Sequence, residues 1–130
     1  MQEKIYKLIY ISSAAIPLSD AEIDEILRKS KENNSKLNVT GMLIYREGNF
    51  IQLLEGDELA VKNLYSVITK DSRHRGCIIL DEGYVSKRCF EGWSMNYQKF
   101  DGKPIFTSAE IDSDETGVLW LLSNFVLNMR

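Results

Sequence analysis

The first strand-forming segment of this chain is apolar on both of its faces. Residues 4–12 carry Ile5, Tyr6, Ile9, Tyr10 and Ile11, and a period of two puts Leu8 and Tyr10 on one face, Ile9 and Ile11 on the other. A sheet with one face in water shows apolar–polar alternation. A strand without it needs cover on both sides.

The remaining segments say what supplies that cover. After Pro17, Ser19-x-x-Glu22 is a capping box, opening a helix with the stripe Ile23, Ile26, Leu27, Ser30, Asn34 that is expected to stop at Asn33–Asn34. Strands are expected at Thr40–Tyr45 and Asn49–Glu55, joined by a hairpin turn at Arg46-Glu47-Gly48. Gly56-Asp57 starts a second helix that runs to Asp71 with the stripe Val61, Leu64, Tyr65, Ile68. Cys77–Leu80, a run near Tyr84–Val85, and Trp93–Tyr97 read as further strands. The order β-α-β-β-α-β-β is an α+β plan of ferredoxin-like type, with the first and third strands side by side and both helices on one sheet face. The tail from Asp101 to Gly117 is polar and turn-rich, whereas Val118–Met129 is apolar round most of its circumference. This last helix is expected on the open sheet face or at a contact between two copies.

With 130 residues the chain has room for one core. A net charge of −3 disfavours nucleic-acid binding, which calls for a basic face. Neither a secretory leader nor a membrane-length apolar run is visible. Cys77 and Cys89 lack a metal or redox spacing, and one histidine makes a zinc site hard to assemble. The expectation is a reduced, cytoplasmic, metal-free domain.

Several residues do not suit a plain core. Gln52 sits inside Phe50-Ile51-Gln52-Leu53-Leu54, where each unpaired amide end would cost about 1–3 kcal/mol. It bonds either local backbone or a ligand. Tyr10 either finds an ordinary core partner or, with strands one and three adjacent, reaches the Gln52 amide. Ser30, Asn33 and Asn34 make the end of the first helix polar on its inner side; the plain alternative for Asn34 is a left-handed cap. Asp71-Ser72-Arg73-His74 is either a solvated helix end or a rim for ribityl and phosphate oxygens, with Arg73 as phosphate partner. Ile26 and Ile68 could flank a flat ring between the helices. No nucleophile with a base, and neither G-x-G-x-x-G nor a P-loop, is present, so any chemistry would belong to a bound cofactor.

Over residues 4–99 the sequence resembles the BLUF family, sensors of blue light using FAD. The matching text is LIYIS at 8–12, NN at 33–34, TGMLIY at 40–45, FIQLLEG at 50–56, DSRH at 71–74 and RCFEGWSM at 88–95. The resemblance implies a flavin between the two helices: FAD by family expectation, with FMN or riboflavin left open by the residues. It carries the photoactive tyrosine onto Tyr10 and the switching glutamine onto Gln52. The flavin-contacting asparagine falls on Asn34, with Ser30 and Asn33 beside it, Phe50 on the glutamine's strand, and Asp71, Arg73 and His74 after helix two. Trp93 and Met95 fall where the family couples flavin state to output. In the light reaction so implied, excited flavin takes an electron and a proton from Tyr10. The Gln52 amide then rearranges, and a strengthened bond to the flavin carbonyl shifts absorption to the red until the state relaxes in darkness.

From that resemblance residues 1–100 are expected to form a flavin-binding photosensory domain, leaving 101–130 as a linker and apolar helix, a cap, dimer or partner surface rather than a second domain. A photosensor without its own effector enzyme follows, signalling to a separate protein or through a homo-oligomer, with no nucleic-acid or membrane partner. The competing readings are a small flavin oxidoreductase or acylphosphatase-like hydrolase, and a flavin-free interaction module on the same scaffold.

Overall fold

A computed structural model describes residues 4–92, 94–99 and 103–127. Its elements are β1 (Ile5–Ala14), α1 (Asp20–Leu37), β2 (Thr40–Arg46), β3 (Asn49–Gly56), α2 (Glu58–Thr69), β4 (His74–Val85), β5 (Asn96–Lys99), α3 (Ser108–Ser113) and α4 (Val118–Leu127). The strands form a single sheet in the order β4-β1-β3-β2-β5, antiparallel except for β2–β5. This is the expected α+β, ferredoxin-like arrangement, with β1 and β3 paired at the centre.

Both faces of the central strands are buried, as their composition requires. On one face Leu8, Tyr10, Leu43, Phe50 and Leu54 pack against Ile23 and Leu27 of α1 and Val61 of α2. On the other, Ile9, Met42, Ile44, Ile51 and Leu53 meet Val118, Leu122 and Val126 of α4, together with Phe106. The C-terminal helix therefore covers the open sheet face. Steps of four put its three buried residues on one stripe. Its outward side is still apolar: Trp120 is 56% exposed.

Local chemistry sets the element boundaries. The Ser19–Glu22 capping box is formed in both directions. Asp57 caps α2 by accepting from the Ala60 backbone N–H. The β2–β3 hairpin turns on Glu47 and Gly48, both at positive φ, the backbone hand that matches strand twist. Gly41 is required by close packing, since a Cβ there would lie 2.0 Å from the Leu53 carbonyl oxygen.

The structure corrects four expectations. Helix α1 does not stop at Asn33–Asn34 but runs a further turn to Leu37, and the left-handed cap is Asn38. Asn34 is consequently a helix-interior residue and is buried. The two runs Cys77–Leu80 and Tyr84–Val85 are one strand, bent by register shifts against β1. Strand β5 begins at Asn96, leaving Met95 in the preceding connection, while Trp93 lies outside the described residues. The turn-rich tail holds a short helix, α3, with its own Thr107–Glu110 capping box.

If α4 belongs to the core, Leu122→Ala should lower unfolding free energy by about 2–5 kcal/mol, the usual cost of truncating a buried leucine. Urea denaturation measures this, and a loss near zero would mean that the helix does not cover the sheet.

Candidate functional site

Tyr10 and Gln52 are direct cross-strand partners in the β1–β3 register. Directly opposed residues share a sheet face, so both project toward α1 and α2. Both are buried. The Tyr10 hydroxyl donates to Gln52 Oε1, and Gln52 Nε2 donates to the Met95 sulfur at 3.6 Å. The amide thus has a partner at each end, the second a weak one, since a thioether accepts poorly. Burial drives the Tyr10 pKa well above that of a free phenol. The Tyr65 ring packs on it at 5.1 Å between centroids.

Above this pair, α1 and α2 flank a cavity of about 240 Å³. Ile26, Leu43, Leu64, Val67 and Ile68 supply apolar wall, while Ser30, Asn33, Asn34 and Gln52 supply neutral polar groups and Lys29, Asp71, Arg73 and His74 titratable ones. Its volume is below the ~300–1,000 Å³ common for ligand clefts, which suits a flat ring system with any longer polar substituent leaving at the mouth. A larger groove, about 380 Å³, lies between β4 and Phe125 of α4. That groove has no titratable lining; a third hollow of about 400 Å³, lined by Asn34, Thr40, Arg88 and Glu91 among others, lies away from the Tyr10–Gln52 pair.

Asn34 carries the clearest sign of a missing partner. Its Nδ2 donates to the Ser94 carbonyl at 2.8 Å, but its buried Oδ1 accepts no hydrogen bond among the described residues. An unsatisfied buried acceptor costs about 1–3 kcal/mol. On the wall of a cavity it calls for an N–H donor from a ligand, as the imide edge of a flavin would present. The donor set fits that group.

Asp71, Arg73 and His74 follow α2. The Arg73 Nε lies 3.0 and 3.1 Å from the two Asp71 oxygens, and this pairing holds the Asp71 carboxyl down at about 2. His74 Nδ1 is 3.0 Å from the Ser12 hydroxyl and its ring packs 5.1 Å from Phe50. Burial is the main cause that lowers its pKa, outweighing the attraction of Asp71.

The structure thus gathers Ile26, Ser30, Asn33, Asn34, Gln52, Ile68, Asp71, Arg73 and His74 around one cavity. Tyr10 and Phe50 are not in its lining: Tyr10 lies behind Gln52, and Phe50 supports it between Tyr45 and His74. Met95 contacts the Gln52 amide. Lys29, Leu43, Leu64 and Val67 are wall residues that the sequence reading did not assign. Leu43 could have been found from register, since it pairs directly with Gln52. A second buried polar group was also passed over. Glu55 accepts from the Cys89 N–H at 2.8 Å, the Phe90 N–H at 2.7 Å and the Thr40 hydroxyl at 2.9 Å. Its signal was a carboxylate ending an apolar strand. Among the described residues no cluster of three or more His, Cys, Asp or Glu is placed to hold a metal, and no helix is long and apolar enough to cross a membrane.

A family model described as BLUF, sensors of blue-light using FAD, matches residues 5–96. The chain is 42% identical over 89 residues to photoactivated adenylate cyclase subunit beta of Euglena gracilis, covering 68% of this chain and 10% of that protein. It is 35% identical over 89 residues to the corresponding beta subunit of Euglena longa, with the same coverage. The chain thus spans about a tenth of the length of these curated relatives. Among solved structures, BlrB, a BLUF protein in its dark state, superposes with a TM-score of 0.76 at 25% identity, over 99% of this chain and 100% of that one. Klebsiella pneumoniae BlrP1 does so with 0.77 at 27% identity, over 94% of this chain and 32% of that one.

His74 is the one histidine of the chain, so its imidazole titration is a single resonance. It should titrate below the ordinary 6.5 in the folded protein. Because the unfolded chain takes up that proton first, stability should fall as pH drops from about 6.5 through the lowered value, then level off. His74→Gln should remove this component. Proton NMR and pH-dependent urea melts check both, and a folded value above 6.5 would reverse the sign.

Proposed function

The chain belongs to the BLUF family, sensors of blue light using FAD, and from that premise we propose that it is a photoreceptor whose switch is the Tyr10–Gln52–Met95 hydrogen-bond chain. The observation that carries the reading is the buried bond from the Tyr10 hydroxyl to the Gln52 carboxamide, on the wall of a cavity that also holds an unpaired Asn34 acceptor. Ile26 and Ile68 would flank the ring, Asn34 would accept from its imide N–H, and Ser30, Asn33, Asp71, Arg73 and His74 would bind its polar edge and side chain. Bound oxidised flavin supplies blue absorption and, once excited, an acceptor for one electron and one proton.

Tyr10 holds its proton firmly at rest, because burial makes a phenolate unfavourable. Loss of an electron from its ring would leave a buried cation that is a strong acid. The proton would then leave along the bond to Gln52 Oε1, and the amide would pass a proton on to the bound flavin that has taken the electron. Gln52 is the group that can record the event: rotation of its amide exchanges donor for acceptor with almost no change of shape. Rotated, its carbonyl would face the Met95 sulfur, acceptor against acceptor, and the N–H that served Met95 would become free for another partner. Each neutral bond so exchanged is worth about 0.5–1.5 kcal/mol. That suffices to bias a neighbour with two arrangements. Met95 is that neighbour, unbranched and easily repacked.

Output then leaves through the segment before β5 toward a separate protein or a second copy. In this reading residues 1–100 are the photosensory body. The stretch 101–130 is its cover and contact surface.

Gln52→Leu is expected to keep bound flavin and lose the light-induced red shift, and Tyr10→Phe to retain flavin without productive photoconversion. Absorption spectra before and after blue illumination, followed into darkness, decide both. A normal shift in Gln52→Leu would remove the glutamine from the mechanism.

A further inference from the structure

Resting on the reading that a flavin ring fills the cavity, we propose that Lys29 forms a phosphate subsite at its mouth, which makes the site prefer flavins with a phosphorylated side chain over riboflavin. Exposure locates the mouth. Leu43, Gln52 and Asn34 are buried, whereas Lys29 and Asn33 are exposed and Arg73 is half-buried. With room for little more than a ring system inside, a flavin's side chain has to emerge between α1 and the segment after α2.

The charges at that mouth are unequal in availability. The Arg73 guanidinium is occupied by Asp71 through Nε to both carboxylate oxygens and through Nη2 to Oδ2 at 2.5 Å. That pair is neutral as a unit. His74 is kept uncharged by burial near pH 7. On α1, Glu25 lies one turn before Lys29 and could have paired with it, but it is held by Arg28 at 2.7 Å. No ion pair among the described residues includes Lys29. Its ammonium is the cationic group on the cavity wall without an ion-pair partner among the described residues; the Glu25 carboxylate, hydrogen-bonded to Arg28, acts on it only as a longer-range charge, in a protein of net charge −3. An ammonium is a compact charge with three donors on a flexible stem, suited to a mobile phosphate at an open rim; a guanidinium fork already docked on a carboxylate is not. At so exposed a position the effect should be several-fold rather than thousand-fold, and weaker in salt.

The test is titration of the flavin-free full chain with riboflavin, FMN and FAD, followed by calorimetry or fluorescence at low and high salt. Wild type should bind FMN and FAD about 3–10-fold more tightly than riboflavin, with the gap narrowing at high salt. Lys29→Gln should close most of that gap, and Lys29→Arg should keep most of it. Equal affinity of wild type for all three, an unchanged FMN-to-riboflavin ratio in Lys29→Gln, or collapse of the ratio in Arg73→Gln instead, would overturn the assignment while leaving the flavin site intact. Failure of all three flavins to bind a folded wild-type chain is the distinct result that would remove the site itself.

Discussion

The register that sets Tyr10 opposite Gln52 is the constraint from which the site follows. A one-residue slip between β1 and β3 would turn one of them to the α4 face, where neither a hydroxyl nor an amide has a place. That register is enforced by apolar side chains on both faces, so the cost of a slip is the loss of two cores rather than one. A polar pair buried in this way is placed by its neighbours more than by its own bond. The Gln52 amide is held between the Tyr10 hydroxyl and the Met95 sulfur.

The segment running from Arg88 to Met95 is fastened to the body at points that matter to that amide. Asn34 holds the Ser94 carbonyl and Gln52 touches Met95. Glu55, three residues along β3 from Gln52, receives the backbone N–H groups of Cys89 and Phe90. Arg88 adds bonds to Thr40 and to the Glu55 carbonyl. At the far side, the Cys89 sulfur lies 3.1 Å from the Thr116 hydroxyl, which caps the first turn of α4 by accepting from Val118. One connection therefore touches the Gln52 amide, the buried carboxylate and the start of the covering helix.

Much of this was readable in advance, for identifiable reasons. Helical periodicity located α1 and α2, runs of β-branched and aromatic residues located β1, β2 and β3, and the two-sided apolar composition of β1 demanded the cover that α4 provides. The Tyr10–Gln52 meeting followed from topology alone once β1 and β3 were adjacent. Asn34 was harder. An asparagine near a helix end suggests a cap, yet here tertiary packing carries the helix past it, and Asn38 takes the left-handed conformation instead. Strand β4 looked like two because Gly83 and a charged pair interrupt its pattern, while pairing with β1 continues through them. Lys29 escaped notice because a lysine on a helix normally faces solvent, and only the placement of α2 opposite makes that side a wall.

The two covers of the sheet do different work. The α1–α2 side is built with a gap whose floor, at Leu43, Gln52 and Asn34, is buried, with the Asp71–Arg73 pair, His74 and the exposed Lys29 at its edge. The α4 side is closed: Leu122 and Val118 are buried against Ile51 and Leu53, the residues that flank Gln52 along β3. A helix that holds its stripe of Val118, Leu122 and Val126 against the sheet thus keeps water from the far face of the strand that carries Gln52. The hydrogen bonds of that amide are therefore made in a dry setting.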